Sequence, residues 1–574
     1  MIRYRIDIAD VHAHLYRVTL TVPQPSSPLK LSLPVWIPGS YMVREFGRHL
    51  SHLEARQGHT AVPLEQLDKT TWLARPAGRG ALTVTYLVYA FDTSVRTAFL
   101  DASRGFFNNT SLCLRVEGRE AEPHRIELGS LPRGWQVATS MRSDGRRGHV
   151  AADYDELVDH PFELGTFWRG EFKAAGATHE FVVAGAWPGF DGERLLADTR
   201  RLCEAQIAFW HGARGKPPYE RYVFMLNAVD DGYGGLEHRA STALIAARRD
   251  LPRVGAAATP DGYVTLLGLI SHEFFHTWNV KRLKPAPLAR IDYTRENYTE
   301  LLWFFEGFTS YYDDLFLVRT GLVDAGRYLK LVGKTLNGVL AAPGRRVQSV
   351  AQSSFDAWVK YYRADENTPN ATVSYYTKGA LVALAIDLTL RTEGRGTLDD
   401  VMRALWSSSG GGPIDEAAIA GALQQVGGRS YAAELAAWVH GTDDLPLQPL
   451  LEQAAVTVKP EPAAWAAGLG LRLSEGPVTG VQVRQVMRGS VAERAGLSAG
   501  DELLAVDGWR VRRLDDAQQW VRAGEPFELL LVRDQRLRTV RVAPEAGSAG
   551  ALSLAPADKP GKSAAALRRA WLGH

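Results

Sequence analysis

Residues 271 to 276 read Ser-His-Glu-Phe-Phe-His, so two histidines stand four positions apart with a glutamate directly after the first. On a helix, residues four positions apart lie on one face about one turn apart, so His272 and His276 can direct their imidazoles at a single metal ion. Glu273 is turned about a third of the way round the helix, where its carboxylate can reach a water molecule on that metal. Two neutral nitrogens beside a carboxylate base are typical of zinc hydrolases.

A zinc site of this kind needs a third protein ligand and an open position for water. Residues 301 to 309 read Leu-Leu-Trp-Phe-Phe-Glu-Gly-Phe-Thr in a segment predicted to be helical, with Glu306 thirty positions after His276. A carboxylate in so apolar a segment is costly to bury unless it is paired or bound to a metal. We therefore predict that Glu306 completes a site for one zinc ion per chain, with a structural salt bridge as the alternative. Asp313 and Asp314 are candidates for orienting the histidines.

The reaction that these residues predict is hydrolysis of a peptide bond. Zinc would lower the pKa of its bound water towards about 7. Glu273 would take the proton as the water attacks the carbonyl carbon, and would then pass it to the leaving amine. A solvated helix residue is the alternative interpretation of Glu273.

Residues 234 to 238 read Gly-Gly-Leu-Glu-His. We predict a strand over 221–228, a glycine-rich turn over 230–235 and a second strand over 237–246 that pairs back on the first. Gly234 and Gly235 would allow the backbone of a ligand to approach closely. Glu237 is then placed to meet the free α-ammonium group of a substrate, which would limit the enzyme to the first residue of a peptide. An exposed strand glutamate after an ordinary turn is the alternative.

Together, Gly-Gly-Leu-Glu-His, His-Glu-Phe-Phe-His and Trp-Phe-Phe-Glu-Gly-Phe-Thr resemble metallopeptidase family sixty-one, the glycyl aminopeptidases. The resemblance implies a gluzincin with a thermolysin-like catalytic domain that removes small N-terminal residues such as glycine and alanine. The family is similar to the aminopeptidase N family, whose pattern is Gly-x-Met-Glu-Asn. Leu236 and His238 depart from that pattern, but Glu237 matches it, so amine recognition carries over. His238 either helps to hold the substrate or packs in the strand.

Two further segments extend the resemblance. Residues 36 to 49, Trp-Ile-Pro-Gly-Ser-Tyr-Met-Val-Arg-Glu-Phe-Gly-Arg-His, look like the N-terminal motif of the family and are either a buried turn or a direct catalytic part. Residues 374 to 380 read Ser-Tyr-Tyr-Thr-Lys-Gly-Ala, and the aminopeptidase N family has a tyrosine in a similar Tyr-Glu-Lys-Gly pattern. A phenol hydroxyl can stabilise the negative charge that develops on the attacked carbonyl oxygen. By this resemblance Tyr376 is the oxyanion residue, with Tyr375 as competitor and simple packing of both as the alternative.

Residues 489 to 508 read Gly-Ser-Val-Ala-Glu-Arg-Ala-Gly-Leu-Ser-Ala-Gly-Asp-Glu-Leu-Leu-Ala-Val-Asp-Gly and resemble the middle of a PDZ domain. Residues 514–523 would be its groove-lining helix. The loop that holds a peptide's C-terminal carboxylate through backbone N–H groups would consist of Gly468, Leu469, Gly470 and Leu471. The domain is expected to bind a peptide C-terminus in its groove, to brace the catalytic part, or to act on the chain's own termini.

The elements that position these residues predict a multidomain α+β protein. Short alternating segments over 1–168 indicate an N-terminal β-sheet domain, and 169–445 indicate the thermolysin-like catalytic domain with a helical second half. Prolines over 446–462 indicate a linker, 463–544 the PDZ domain, and 545–574 a loosely ordered tail. Helices are predicted at 192–211, 262–279, 298–320, 324–340, 375–393, 398–407, 414–425 and 430–440.

Composition adds exclusions. The 574 residues are 45% hydrophobic and 23% charged with a net charge of +2, which is ordinary for a globular protein and gives no indication of nucleic-acid binding. Neither a signal peptide nor a membrane-spanning segment is visible, and the two cysteines, Cys113 and Cys203, lack metal spacing. We therefore expect a cytoplasmic protein without membrane partners.

Three functions remain open at this point. The first is a zinc aminopeptidase acting on peptides with a free N-terminus. The second is a thermolysin-type endopeptidase, in which Glu237 has no role with an amine. The third is a PDZ scaffold whose peptidase half is inert, although chance would seldom supply three ligands and a base at these spacings.

Overall fold

A computed structural model describes residues 1–145, 148–256, 258–544 and 550–573. These residues form two compact units. The first unit contains Met1–Tyr298, Tyr312–Leu322 and Leu405–Ile414, and the second contains Thr299–Tyr311, Val323–Ala404 and Asp415–His574. The helix Gly307–Arg319 thus contributes residues to both units.

The N-terminal part of the first unit is β-rich, as predicted. Strand Leu82–Tyr89 buries every second residue, the pattern of a sheet with one face on a core. The largest sheet has the strand order Arg142–Ser143, Gly148–Ala151, His124–Leu128, Ile2–Asp10, Leu15–Val22, Leu82–Tyr89, Leu50–Gln57 and Thr60–Val62. Two four-stranded sheets accompany it: Gln136–Ala138, Phe162–Gly165, Arg104–Phe107 and Ala98–Leu100; and Arg115–Val116, Leu29–Ser32, Thr71–Ala74 and Leu64–Gln66.

A five-stranded sheet follows in the same unit. Its order is Trp168–Ala174, Ala177–Ala184, Arg221–Val229, Ser241–Ala247 and Tyr233–Glu237, and we call the last of these the edge strand. The predicted arrangement here is wrong. Ser241–Ala247 runs parallel to Arg221–Val229, and the edge strand, which contains Gly234 and Gly235, pairs antiparallel with Ser241–Ala247. Glycines that suggest a turn by composition therefore lie within a strand, where they permit close approach of neighbouring groups.

Two long helices pack in this part of the first unit. Gly192–His211 has the predicted bounds, and Asp191 caps it by accepting a hydrogen bond from Arg194 N. Asp261–Phe275, called here the histidine helix, is apolar on almost every side, which is typical of a helix buried in a core. It ends at His276, whose backbone N–H donates to His272 O.

The second unit is mainly helical, which confirms the predicted helical half of the chain. The first helix of this half, Leu302–Phe305, is short and ends at Glu306, and Gly307–Arg319 begins immediately afterwards. The others are Ala325–Leu340, Val350–Phe355, Thr368–Ala371, Thr377–Thr392, Glu416–Gly427, Ala432–Leu435, the π-helix Ala436–His440, and Leu447–Gln453. The helix Leu398–Ser409 begins in this unit, and its residues from Leu405 onward belong to the first.

The PDZ-like region is inserted between two paired strands. Val456–Glu461 pairs antiparallel with Ala551–Pro556, and we call this pair the stem. The strands beyond it are Leu471–Gly476, Gly480–Val486, Glu502–Val506, Trp509–Arg510, Phe527–Arg533 and Arg536–Val542. Short helices cover Trp465–Gly468 and Val491–Arg494. A 3₁₀-helix, Leu514–Gln519, replaces the longer predicted groove helix.

The predicted linker and loosely ordered tail are both wrong. Residues 446–462 contain the helix Leu447–Gln453 and a strand of the stem. The tail supplies the other stem strand and the helix Lys562–Leu572, while 545–549 lie outside the described residues. Trp571 is buried and donates from Nε1 to Tyr311 Oη at 2.9 Å. The two stem strands lie far apart in sequence, so local composition gives no indication that they pair.

Among the helices that the structure describes, none is both long enough and apolar enough to cross a membrane.

Candidate active site

The two histidines meet at the C-terminal end of the histidine helix. Nε2 of His272 lies 3.0 Å from Nε2 of His276. The other nitrogen of each ring faces an oxygen: His272 Nδ1 is 2.9 Å from Asp313 Oδ2, and His276 Nδ1 is 2.7 Å from Asn279 O. A carbonyl and a carboxylate accept hydrogen bonds, so we assign the proton of each neutral ring to Nδ1. Each Nε2 then presents a lone pair.

This arrangement fits a shared cation. Two lone pairs 3.0 Å apart repel each other unless a positive charge lies between them. A tetrahedral ion with metal–nitrogen bonds of about 2.0–2.1 Å would separate the two nitrogens by about 3.4 Å, close to the observed distance. Of the two aspartates predicted to orient the histidines, Asp313 contacts His272. The oxygen that orients His276 is the main-chain carbonyl of Asn279, which no side-chain pattern could have indicated.

Glu273 faces the edge strand. A Cβ atom at Gly235 would lie 2.1 Å from Glu273 Oε1, so only glycine permits this approach. Glu237 lies two residues further along the strand and therefore on the same face as Gly235. Three buried residues meet here: Glu237, Glu273 and His276. A carboxylate oxygen of each glutamate and an imidazole nitrogen of the histidine all lie within 4.8 Å of one another. The predicted amine-binding residue and the predicted base thus lie together.

The segment Trp36–Tyr41 lies against Glu237. Gly39 has a φ of +96°, which favours glycine, and a Cβ atom there would be 2.5 Å from both carboxylate oxygens of Glu237. Trp36 is buried and donates from Nε1 to Asp292 O at 2.8 Å, which anchors the segment. The sequence leaves the role of residues 36–49 open, and it gave no signal that Gly39 would contact Glu237.

His238 lies in a separate buried cluster. Its Nδ1 is 3.3 Å from Asp159 Oδ1, and the same carboxylate pairs with Lys281 Nζ at 2.7 Å and accepts from Arg239 N at 2.9 Å. The charge of Lys281 and the contact with His238 hold the pKa of Asp159 well below its usual value, although burial opposes them. Of the two roles that the sequence leaves open for His238, packing within the strand is the one these contacts describe.

In the second unit, Glu306 and Tyr376 are brought together by two glycines. A Cβ atom at Gly307 would lie 2.6 Å from Gly379 Cα, and one at Gly379 would lie 2.6 Å from Trp303 O. The helices Gly307–Arg319 and Thr377–Thr392 therefore cross in backbone contact beside Glu306 and Tyr376. This contact explains why a glycine stands one position after Glu306 and another stands three positions after Tyr376.

Tyr376 belongs to a cluster of four tyrosines. Its ring lies 5.3 Å from that of Tyr361 and 4.7 Å from that of Tyr375, and its hydroxyl is 3.5 Å from the hydroxyl of Tyr362. Burial and the nearby Glu306 carboxylate raise the pKa of Tyr376 well above its usual value. Tyr375, the competing candidate, is completely buried, whereas Tyr376 retains partial exposure.

In the predicted carboxylate loop of the PDZ-like region, the N–H groups donate hydrogen bonds to carbonyls of the neighbouring turn. Gly468 N donates to Ala464 O at 2.9 Å, Leu469 N to Trp465 O at 3.0 Å, and Gly470 N to Ala467 O at 3.0 Å. Leu471 pairs with Val486 in the sheet. The loop is thus closed as a helical turn.

Comparisons with known proteins cover most of the chain. Family profiles match residues 3–166 (peptidase M61 N-terminal domain), 265–382 (M61 glycyl aminopeptidase) and 482–533 (PDZ domain). The crystal structure of an aminopeptidase N family protein from Idiomarina loihiensis has 36% sequence identity and a TM-score of 0.94, covering 100% of both chains. An M1 zinc metallopeptidase from Deinococcus radiodurans has 15% identity and a TM-score of 0.47, covering 78% of this chain and 94% of its own. No curated protein sequence matches.

The profile over 265–382 includes both histidines, Glu273, Glu306 and Tyr376. The similarity to the Idiomarina protein extends over the N-terminal sheets, the helical half and the PDZ domain. The chain therefore belongs to the M61 family of glycyl aminopeptidases and is a zinc metallopeptidase of the aminopeptidase type.

Proposed function

We propose that the enzyme removes glycine or alanine from the N-terminus of peptides, with Glu237 binding the α-ammonium group. The observation that carries this proposal is the meeting of Glu237, Glu273 and His276 within 4.8 Å. In a peptide, the α-nitrogen and the carbonyl carbon of one residue are about 2.5 Å apart, because two bonds of about 1.5 Å join them. A carboxylate that binds the amine must therefore lie close to the base that acts at the carbonyl, as Glu237 does.

One zinc ion per chain would be held by His272, His276 and Glu306, which offer two imidazoles and a carboxylate. Bound zinc would polarise the scissile carbonyl and lower the pKa of a water molecule. Support for Glu306 comes from its place in the chain. It is buried directly after the apolar helix Leu302–Phe305, where a carboxylate is costly unless it is paired or bound to a metal.

Glu273 would take the proton from the attacking water and deliver it to the nitrogen of the leaving amine. Tyr376 would donate its phenol hydrogen to the oxygen of the attacked carbonyl, where negative charge develops. Burial and the nearby Glu306 carboxylate raise the pKa of Tyr376, so its hydroxyl is a hydrogen-bond donor rather than a phenolate.

The contact between Gly39 and Glu237 favours an exopeptidase over the thermolysin-type alternative. A longer substrate would have to continue past Glu237, but the segment Trp36–Tyr41 lies there, with Gly39 against the carboxylate. The preference for glycine and alanine is supported by the family, whose profile over residues 265–382 is that of glycyl aminopeptidases.

A panel of aminoacyl-anilides tests the proposal. Alanyl- and glycyl-anilide should be cleaved well, leucyl- and arginyl-anilide poorly, and N-acetyl-alanyl-anilide hardly at all. A chelator should abolish activity, and added zinc should restore it. Equal cleavage of the free and acetylated substrates would favour the endopeptidase alternative. If the protein held no stoichiometric zinc and cleaved no substrate, the inert scaffold would be favoured. The match to a peptidase family argues against that alternative.

A further inference from the structure

Arg96 emerges from a rigid turn in the N-terminal part of the first unit. The carbonyls on either side of it, Val95 O and Thr97 O, both accept hydrogen bonds from Asn108 Nδ2, at 2.9 and 3.2 Å. Thr97 O also accepts from Asn108 N at 3.0 Å, and Asn108 is completely buried. The backbone is thus fixed on both sides of Arg96, and its side chain leaves the turn in a defined direction.

That direction leads to the open side of the edge strand. His238 N donates to Ser241 O, so by antiparallel alternation His238, Leu236 and Gly234 direct their backbone groups inward. Gly235 therefore directs its N–H and C=O away from the sheet. Arg96 Nη2 lies 3.4 Å from Gly235 O, which places the guanidinium at this free edge. Tyr233 on the same strand is 64% exposed, so the edge is accessible there.

Arg96 has no counter-ion in the part of the chain that the structure describes. Its long contact to Gly235 O and the bond from its own N–H to Ser94 Oγ are its hydrogen bonds there. Its Nε is buried and makes no hydrogen bond to any described residue. A guanidinium whose acceptor is one distant carbonyl, held beside the edge strand, has N–H groups left to bind a carboxylate.

We infer that Arg96 binds a carboxylate on the leaving side of the scissile bond and so selects dipeptides or peptides with an acidic second residue. The inference rests on the proposed function. With the α-ammonium group at Glu237 and the scissile carbonyl at Glu273, a substrate antiparallel to the edge strand runs past Gly235 towards Tyr233. The carboxylate that reaches Arg96 is either the C-terminus of a dipeptide or an acidic side chain of the second residue.

Two matched substrate pairs distinguish the sources of this carboxylate. Alanyl-alanine against its amide tests the C-terminus, and alanyl-aspartic acid amide against alanyl-asparagine amide tests the side chain. Both pairs are assayed with wild type, Arg96→Gln and Arg96→Lys, with kcat and KM measured separately. Arg17→Gln is the control, since Arg17 is an exposed arginine of the same part of the first unit.

Wild type should prefer the carboxylate member of at least one pair by about 10- to 100-fold in kcat/KM, mainly through KM. Arg96→Gln should erase that preference and leave the neutral member within about twofold, while Arg96→Lys should keep part of it. Equal use of both members of both pairs by wild type would overturn the inference whether or not the variants fold. So would an equal loss on all four substrates in a correctly folded Arg96→Gln. If wild type cleaves none of the four, the proposed function itself fails.

Discussion

The histidine site and the PDZ carboxylate loop use hydrogen bonds in opposite ways. In the histidine site, the oxygens of Asp313 and Asn279 accept hydrogen bonds from the Nδ1 atoms, and the two Nε2 atoms face each other at 3.0 Å. In the loop, the N–H groups of Leu469 and Gly470, which a peptide carboxylate would need, already donate within the loop. The M61 profile includes both histidines, whereas the PDZ profile match begins at residue 482, after the loop. Whether a motif can bind a ligand depends on which polar atoms the local structure has already satisfied.

The PDZ-like region has instead the contacts of a brace. Asn370 donates from Nδ2 to Val486 O at 2.9 Å and accepts from Arg488 N at 2.8 Å. In the stem, Asn337 makes the same kind of double contact with the backbone of Leu552, at 2.8 Å in each direction. We propose that bracing of the helical half is the main role of this region in the resting enzyme.

The largest effect should come from the predicted base. Glu273→Gln keeps the shape of the side chain but cannot accept the proton, so kcat should fall by about 10²- to 10⁴-fold. Zinc content should stay at the wild-type level, because the lone pairs of the histidines are unchanged. Steady-state kinetics with elemental analysis make the measurement. Glu204→Gln, at an exposed position on the helix Gly192–His211, should change neither quantity. Turnover near the wild-type rate would remove Glu273 as the base.

The amine-binding residue should give the next largest effect. Glu237→Gln replaces a charged acceptor by a neutral one in a buried site, which costs about 2 to 3 kcal/mol, or about 30- to 150-fold in kcat/KM for alanyl-anilide. The small residual activity on N-acetyl-alanyl-anilide should not change, since that substrate lacks the ammonium group. A similar loss on both substrates would mean that Glu237 acts through the fold rather than through the amine.

The sequence could predict those features of the site that depend on local periodicity. The placing of the histidine pair at one helix and the bounds of Gly192–His211 follow from residues within one or two turns. The contact of Gly39 with Glu237 and the pairing of the stem strands join residues that are distant in sequence. The direction of Ser241–Ala247 is a choice between parallel and antiparallel pairing. Periodicity is the same for parallel and antiparallel strands, so composition alone could not choose between them.

Asp313 tests how far the orientation of the histidines matters. Asp313→Asn should weaken zinc binding by about 10- to 100-fold, because His272 loses the carboxylate that fixes its tautomer and ring plane. Competition with a chelator measures the change. Asp198→Asn is the control, since Asp198 accepts a hydrogen bond from Tyr263 near the other end of the histidine helix. Equal zinc affinity in wild type and Asp313→Asn would show that the helix alone positions the ring.

The smallest effect is expected in the carboxylate loop. Ala467 is exposed within the turn Trp465–Gly468, so Ala467→Gly should weaken that turn by about 1 kcal/mol without disturbing packing. A C-terminal peptide would then bind up to about fivefold more tightly, because less of its binding energy is spent on opening the loop. Anisotropy of an N-acetylated fluorescent peptide ending in leucine, with its C-terminal amide as the blank, measures this in a Glu273→Gln background. Ala464→Gly, at the N-cap position where glycine is preferred to alanine, should not loosen the turn and so should not raise the affinity. If wild type already binds the free carboxylate as tightly as Ala467→Gly, the loop is open in solution and its contrast with the histidine site disappears.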